Sequence, residues 1–141
     1  MKTHPAILAL LALTIIFAAP SPKTAFAKGG ESAYSAQLIS PTAGSVVKPG
    51  QVVRVEWTVT YPRVPLSMCE TEVMVSLDGG HTYSYIISQR NPKIHSFDWT
   101  VPQLPAGGPV WAILDIRFGC LGIYAESYSP QIESAFLISN D

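Results

Sequence analysis

The amino-acid sequence predicts an all-β fold, a two-sheet antiparallel sandwich of about seven short strands. Three observations carry that reading. Apolar and polar residues alternate at a period of two through the chain after residue 36, where helical periodicity is lacking. β-Branched and aromatic residues fill the alternating runs. Clusters of turn-forming residues separate the runs, and twelve prolines and ten glycines in 141 residues oppose long helices.

The first 27 residues read as a secretory signal peptide. Lys2 supplies a positive start, Ala6–Ala19 is an apolar run short of the ~20 residues that span a bilayer, and Ala25 and Ala27 form an A-x-A cleavage site. Cleavage there leaves residues 28–141. Residues 28–36, KGGESAYSA, read as a polar, flexible lead-in, and residues 37–141 as the folded domain. Removing Lys2 and Lys23 leaves seven basic against ten acidic residues, a formal charge of −3. No basic stripe favours nucleic acid, and no second apolar run spans a membrane. The expected location is secreted or periplasmic, in an oxidising compartment.

The strands follow in order. Gln51–Thr60 places Val53, Val55, Trp57 and Val59 on one face, with Arg54, Glu56 and Thr58 on the other. Residues 69–78 align Cys69, Thr71, Val73, Val75 and Leu77; after the next turn Tyr83 and Tyr85 alternate along a hairpin arm. Phe97, Trp99 and Val101 share a face, as do Val110, Ala112, Leu114, Ile116, Phe118 and Cys120. SAFLIS closes the chain. Trp57 and Trp99 are therefore expected in the core. Each strand has one apolar face, which calls for a second sheet to cover it.

The stretch LISPTAGSVVKPGQVVRVEWTVT, with its Ser40-Pro41 turn, Gly50 before the strand and Trp57 within it, resembles the opening of fibronectin type III and related immunoglobulin-like modules. SLDGG, FDWTVP and SAFLIS resemble more closely the immunoglobulin-like module of the Ser/Thr-rich GPI-anchored cell-wall family, without that family's Ser/Thr-rich stalk or anchor signal. The resemblance runs from about Gln37 to Ser139 and implies a module that binds, spaces or presents other molecules. It also implies that the strand begun by Cys69 and the strand ended by Cys120 are antiparallel neighbours. Setting Cys69 opposite Cys120 then pairs Val73 with Ile116, Val75 with Leu114 and Leu77 with Ala112, and places Glu72 opposite Arg117. A Cys69–Cys120 disulfide is expected in that register; a slip by two residues, or two buried thiols, are the alternatives.

Residues 75–86, VSLDGGHTYSYI, carry Ser76, Asp78, Gly80, Thr82 and Tyr83 in the spacing S-x-D-x-G-x-T-aromatic. This resembles the Asp-box that sialidases and related propellers repeat once per blade. A propeller needs at least four such blades, whereas this chain has one copy. The segment reads as a structural turn: Asp78 accepts local backbone bonds, and Gly79 and Gly80 supply positive φ.

Other chemistry is thinly represented. His81 and His95 lie in no H-x-H, HExxH or C-x-x-C motif, so no metal or other cofactor is expected. Glu70 and Glu72 share a strand face, the residue type glycoside hydrolysis uses, but a solvated face is the plainer account. No Gly-x-Ser-x-Gly elbow or phosphate loop occurs. Trp111 lies opposite the core set of its strand and, with Tyr83 and Tyr85, forms a possible ligand surface. The expectation is a non-enzymatic interaction or structural module whose partner is a protein or glycan at the cell surface. The alternative is a carbohydrate-binding module using the surface aromatics.

Overall fold

The computed structural model describes residues 33–89, 91–104 and 108–141. The expected signal peptide, 1–27, and the first part of the lead-in lie outside them. The described residues form nine strands: β1 (Ser35–Ser40), β2 (Val46–Val47), β3 (Val52–Thr60), β4 (Cys69–Ser76), β5 (Ser84–Gln89), β6 (Ser96–Thr100), β7 (Val110–Cys120), β8 (Tyr124–Ser127) and β9 (Phe136–Ile138). One sheet has the order β1-β3-β6. The other runs β2-β9-β7-β4-β5, with β8 on the far half of β7. All pairings are antiparallel except β2 with β9.

The two strands beyond the expected seven have local causes. β2 contributes only two residues. The expected closing strand is β9, and β8 is added because the turn at Cys120–Ile123 brings Tyr124–Ser127 back beside the end of β7. The domain boundary also moves. Tyr34, inside the expected lead-in, is buried; its ring stacks on Phe118 with centroids 5.1 Å apart, and its hydroxyl donates to the Ile116 carbonyl at 3.0 Å. Ser35 already pairs with Thr60. An apolar contact and a buried bond thus order residues whose composition reads as polar linker.

The sheets face each other across one main core. Val53, Val55, Trp57 and Trp99 from the first meet Val73, Val75, Leu114, Ile116, Phe136 and Ile138 from the second. These are the alternating apolar positions of their strands, and burying each large side chain stabilises by about 1.5–3 kcal/mol. A smaller cluster of Tyr34, Phe118, Cys69 and Cys120 closes one end. The outer edge of β1 is stitched to the later chain: Gln131 Oε1 accepts the Leu38 N–H at 2.8 Å, and Gln131 Nε2 donates to the Ala36 carbonyl at 3.1 Å.

The β4–β7 register is Cys69 with Cys120, Glu72 with Arg117, Val73 with Ile116 and Val75 with Leu114. A disulfide joins Cys69 and Cys120. Two details differ from expectation. The ladder ends at Ser76–Ile113, because the chain turns away at Leu77, so the expected Leu77–Ala112 pair does not form; on its other edge Ala112 pairs with Phe136 of β9. The bridged Cα atoms stand 4.0 Å apart, closer than the ~4.5–5.5 Å usual for facing residues.

Candidate functional site

The outward face of the larger sheet gathers most of the singled-out residues. Along β7 the odd-numbered side chains Trp111, Ile113, Asp115 and Arg117 point away from the core, opposite the inward set. β4 presents Glu70, Glu72 and Met74 on the same side, and the turn after β4 folds beside them.

That turn bonds to itself. Ser76 Oγ donates to Asp78 Oδ1 at 2.8 Å and accepts the Gly80 N–H at 2.8 Å. Asp78 Oδ1 accepts the Thr82 N–H at 2.9 Å, and Oδ2 accepts the Thr82 hydroxyl at 2.6 Å. Gly80 has φ 90°, and a Cβ there would meet the Tyr83 hydroxyl at 3.4 Å and Ile113 Cδ1 at 3.9 Å. The bonds from Thr82, then that from Ser76, hold the Asp78 carboxyl well below the usual carboxylate range. Both carboxylate oxygens are engaged within the turn.

A pH dependence follows. The folded-state pKa of Asp78 is depressed, so its contribution is full above the ordinary aspartate range near ~4 and fades as pH falls below it. Solvent screening keeps the effect modest. Asp78→Ala is expected to lower the melting temperature at neutral pH, with the gap to the parent narrowing toward pH ~3. Paired thermal melts across that range check it, and a gap constant with pH would assign the loss to something other than the carboxylate bonds.

Beside the turn lies a cation–aromatic stack. The Arg117 guanidinium carbon sits 4.6 Å from the Tyr128 ring centroid and 5.8 Å from that of Tyr83. Arg117 Nε donates to Asp115 Oδ2 at 2.7 Å, and Asp115 Oδ1 accepts the Ser129 N–H at 2.9 Å. Asp115 is buried. The arginine thus satisfies a carboxylate that would otherwise be costly to bury. Burial, then the nearby Asp115, raise the Tyr83 pKa. The Tyr128 hydroxyl donates to Glu126 at 3.0 Å, the first cause of its own raised pKa. A shallow cleft of about 390 Å³ opens here, lined by Tyr83, Ile113, Arg117, Tyr128 and Ile132.

The three candidate aromatics are not brought together. Tyr83 is half-buried against Arg117. Trp111 is 54% exposed and Tyr85 53% exposed. Tyr85 lies across β4 from Asp115, two strands over and four residues along from Trp111, a Cα separation of roughly 16 Å from strand rise and spacing. Trp111 has different neighbours: Leu137 of β9 opposite it, then Val46 of β2, 55% exposed, in the same row.

Arg117 faces Glu72 in the ladder but turns to Asp115 and, at 3.8 Å, to Glu126. Glu70 accepts the Ser88 hydroxyl at 3.2 Å. Burial, then Glu70 and Glu126, raise the Glu72 pKa. His81 is held in the turn, Nδ1 2.6 Å from the Asp78 carbonyl. His95 lies at the other sheet, its ring tilted against Trp57 and Tyr61. Among the described residues, no three His, Cys, Asp or Glu side chains converge on one point. Sequence reasoning overlooked Asp115 and Tyr128. A signal for the first was present: an acid in an apolar strand, two residues before an arginine, shares that arginine's face.

No protein-family model and no curated protein sequence matches the chain.

Proposed function

We propose that the chain is a secreted or periplasmic, non-enzymatic interaction module with a fibronectin type III-like, immunoglobulin-like sandwich. The strand order β1-β3-β6 against β5-β4-β7-β9 supports the fold reading. The disulfide supports an oxidising location, and among the described residues no helix is long and apolar enough to cross a membrane. Export through residues 1–27 and partners at the cell surface belong to the same proposal.

One observation carries the interaction role. Val46, Leu137 and Trp111 form a cross-strand apolar row on a rigid sheet, with Val46 and Trp111 more than half exposed. A large aromatic held out among aliphatic neighbours is the usual make-up of a binding surface. Trp111→Ala is expected to leave the melting temperature near the parent's while weakening capture of the natural partner from culture medium or periplasm by about tenfold. Undiminished capture would remove this row from the interface. The exposure of Trp111 and Tyr85 favours a second reading, sugar binding on separate aromatic platforms. Retention of the parent on a polysaccharide, lost on replacing either ring, would select that reading.

A further inference from the structure

At the disulfide end of the larger sheet, a groove of about 840 Å³ runs along the outward faces of β4 and β7 and is walled by β8. We propose that this groove seats an extended segment of a partner protein that combines lysine or arginine with apolar side chains. The proposal rests on the interaction-module reading and gives that module a second, chemically distinct contact.

Two features define the occupant. The first is apolar. Met68 and Leu121 flank the Cys69–Cys120 pair, one residue beyond each cysteine. Met68 is 56% exposed and Leu121 92% exposed. Covering them removes apolar surface from water at no cost to the core. The second is charge. Glu70, Glu72 and Glu126 line the groove, and the single cation among them, Arg117, already bonds the buried Asp115. Arg117 also reaches Glu126 at 3.8 Å, so one guanidinium is shared by Asp115 and Glu126 while Glu70 and Glu72 have no ion pair among the described residues, and the groove keeps a net negative charge. The Glu72 pKa is raised first by burial and then by Glu70 and Glu126, so the neighbouring carboxylates add to it.

Shape agrees with a strand-like guest. Gly119, opposite Glu70, lets β8 close against β7 as the groove's wall, since a Cβ there would meet the Glu126 backbone at 3.3 Å. From Met68 to Glu72 the groove follows about 13 Å of strand, the length of about four extended residues. An anionic guest is repelled. A bare divalent ion leaves Met68 and Leu121 uncovered. A basic and apolar segment answers both features, with charge aiding encounter and apolar contact slowing release.

The test titrates the exported, disulfide-bonded protein against a labelled peptide of alternating leucine and lysine, with a leucine–glutamate peptide as control. The lysine peptide is expected to bind and the control not to. Leu121→Ser is expected to weaken binding about fivefold and Glu70→Lys about tenfold, with melting temperatures unchanged because both side chains are exposed. Affinity should also fall as salt rises. Equal binding of the glutamate peptide would overturn the proposal, as would parental affinity in both variants. Calcium that saturably raises the melting temperature and displaces the peptide would also overturn it, reassigning the carboxylates to a cation. Partner capture that needs Trp111 but is untouched by both groove variants would defeat the groove alone and leave the interaction-module reading intact.

Discussion

Replacing Cys69 and Cys120 together by alanine is expected to cost about 4 kcal/mol of folding stability on the chain-entropy account. The bridge closes a loop of sequence separation 51. Without it the unfolded chain regains the freedom that this closure removes. It joins β4 to β7, two central strands of the larger sheet, at the end where Tyr34 and Phe118 form the smaller core cluster. A small domain commonly has only about 5–15 kcal/mol in all, so the variant should unfold at a much lower denaturant concentration. Adding reductant should move the parent toward the same midpoint. A variant that unfolds with the parent would show that the loop contributes no such constraint.

Trp57→Ala is expected to cost about 3–5 kcal/mol. Trp57 is 2% exposed and lies at the centre of β3, its ring meeting Phe97 edge-on at 6.2 Å between centroids. Its indole N–H has no hydrogen-bond partner among the described residues. The expected loss therefore comes from packing and the remaining cavity rather than from a severed bond. Trp57→Phe, which retains a ring, should lose less. Equilibrium unfolding of both variants checks the order, and an alanine variant within a degree or two of the parent's melting temperature would contradict the core placement.

The β4–β7 register was legible because two faces constrained it at once. Moving β4 by one residue would turn Glu70 and Glu72 inward and expose Val73 and Val75, and moving β7 would expose Leu114 and Ile116. The apolar parity of β3 and β6 likewise located Trp57 and Trp99 in the core, and the opposite parity located Trp111 outside. What parity leaves open is the choice among partners on one face. Arg117 has Glu72 across the ladder and Asp115 two residues away on its own strand; burial of Asp115 decides between them, and burial depends on the later segment that covers it. Tyr128 belongs to that segment, which folds back over the sheet after β8, so its position beside Arg117 has no local pattern. Tyr34 was obscured by polar neighbours. The turn of residues 76–82 was legible in outline, Asp78 accepting local backbone bonds and Gly79 and Gly80 taking positive φ, because all its partners lie within seven residues of one another; the Ser76 and Thr82 hydroxyl bonds were not.

The Tyr34–Phe118 stack and the β9–β7 ladder together set how force crosses the domain. The chain enters at Tyr34, beside the far end of β7, and its last strand stops at Ile138, paired with Val110 at the near end. Tyr34 and Ile138 thus lie toward opposite poles of β7, with roughly 26 Å of strand between Phe118 and Val110. Tension applied through the two ends runs lengthwise along the strands, so the hydrogen bonds of β1 with β3 and of β9 with β7 are loaded in shear, all at once, instead of being peeled open one by one. The Gln131 stitch on β1 adds two more bonds to that same load-bearing set. Load along this axis would leave the spacing between the groove and the Val46–Leu137–Trp111 row unchanged, since both lie on the same sheet.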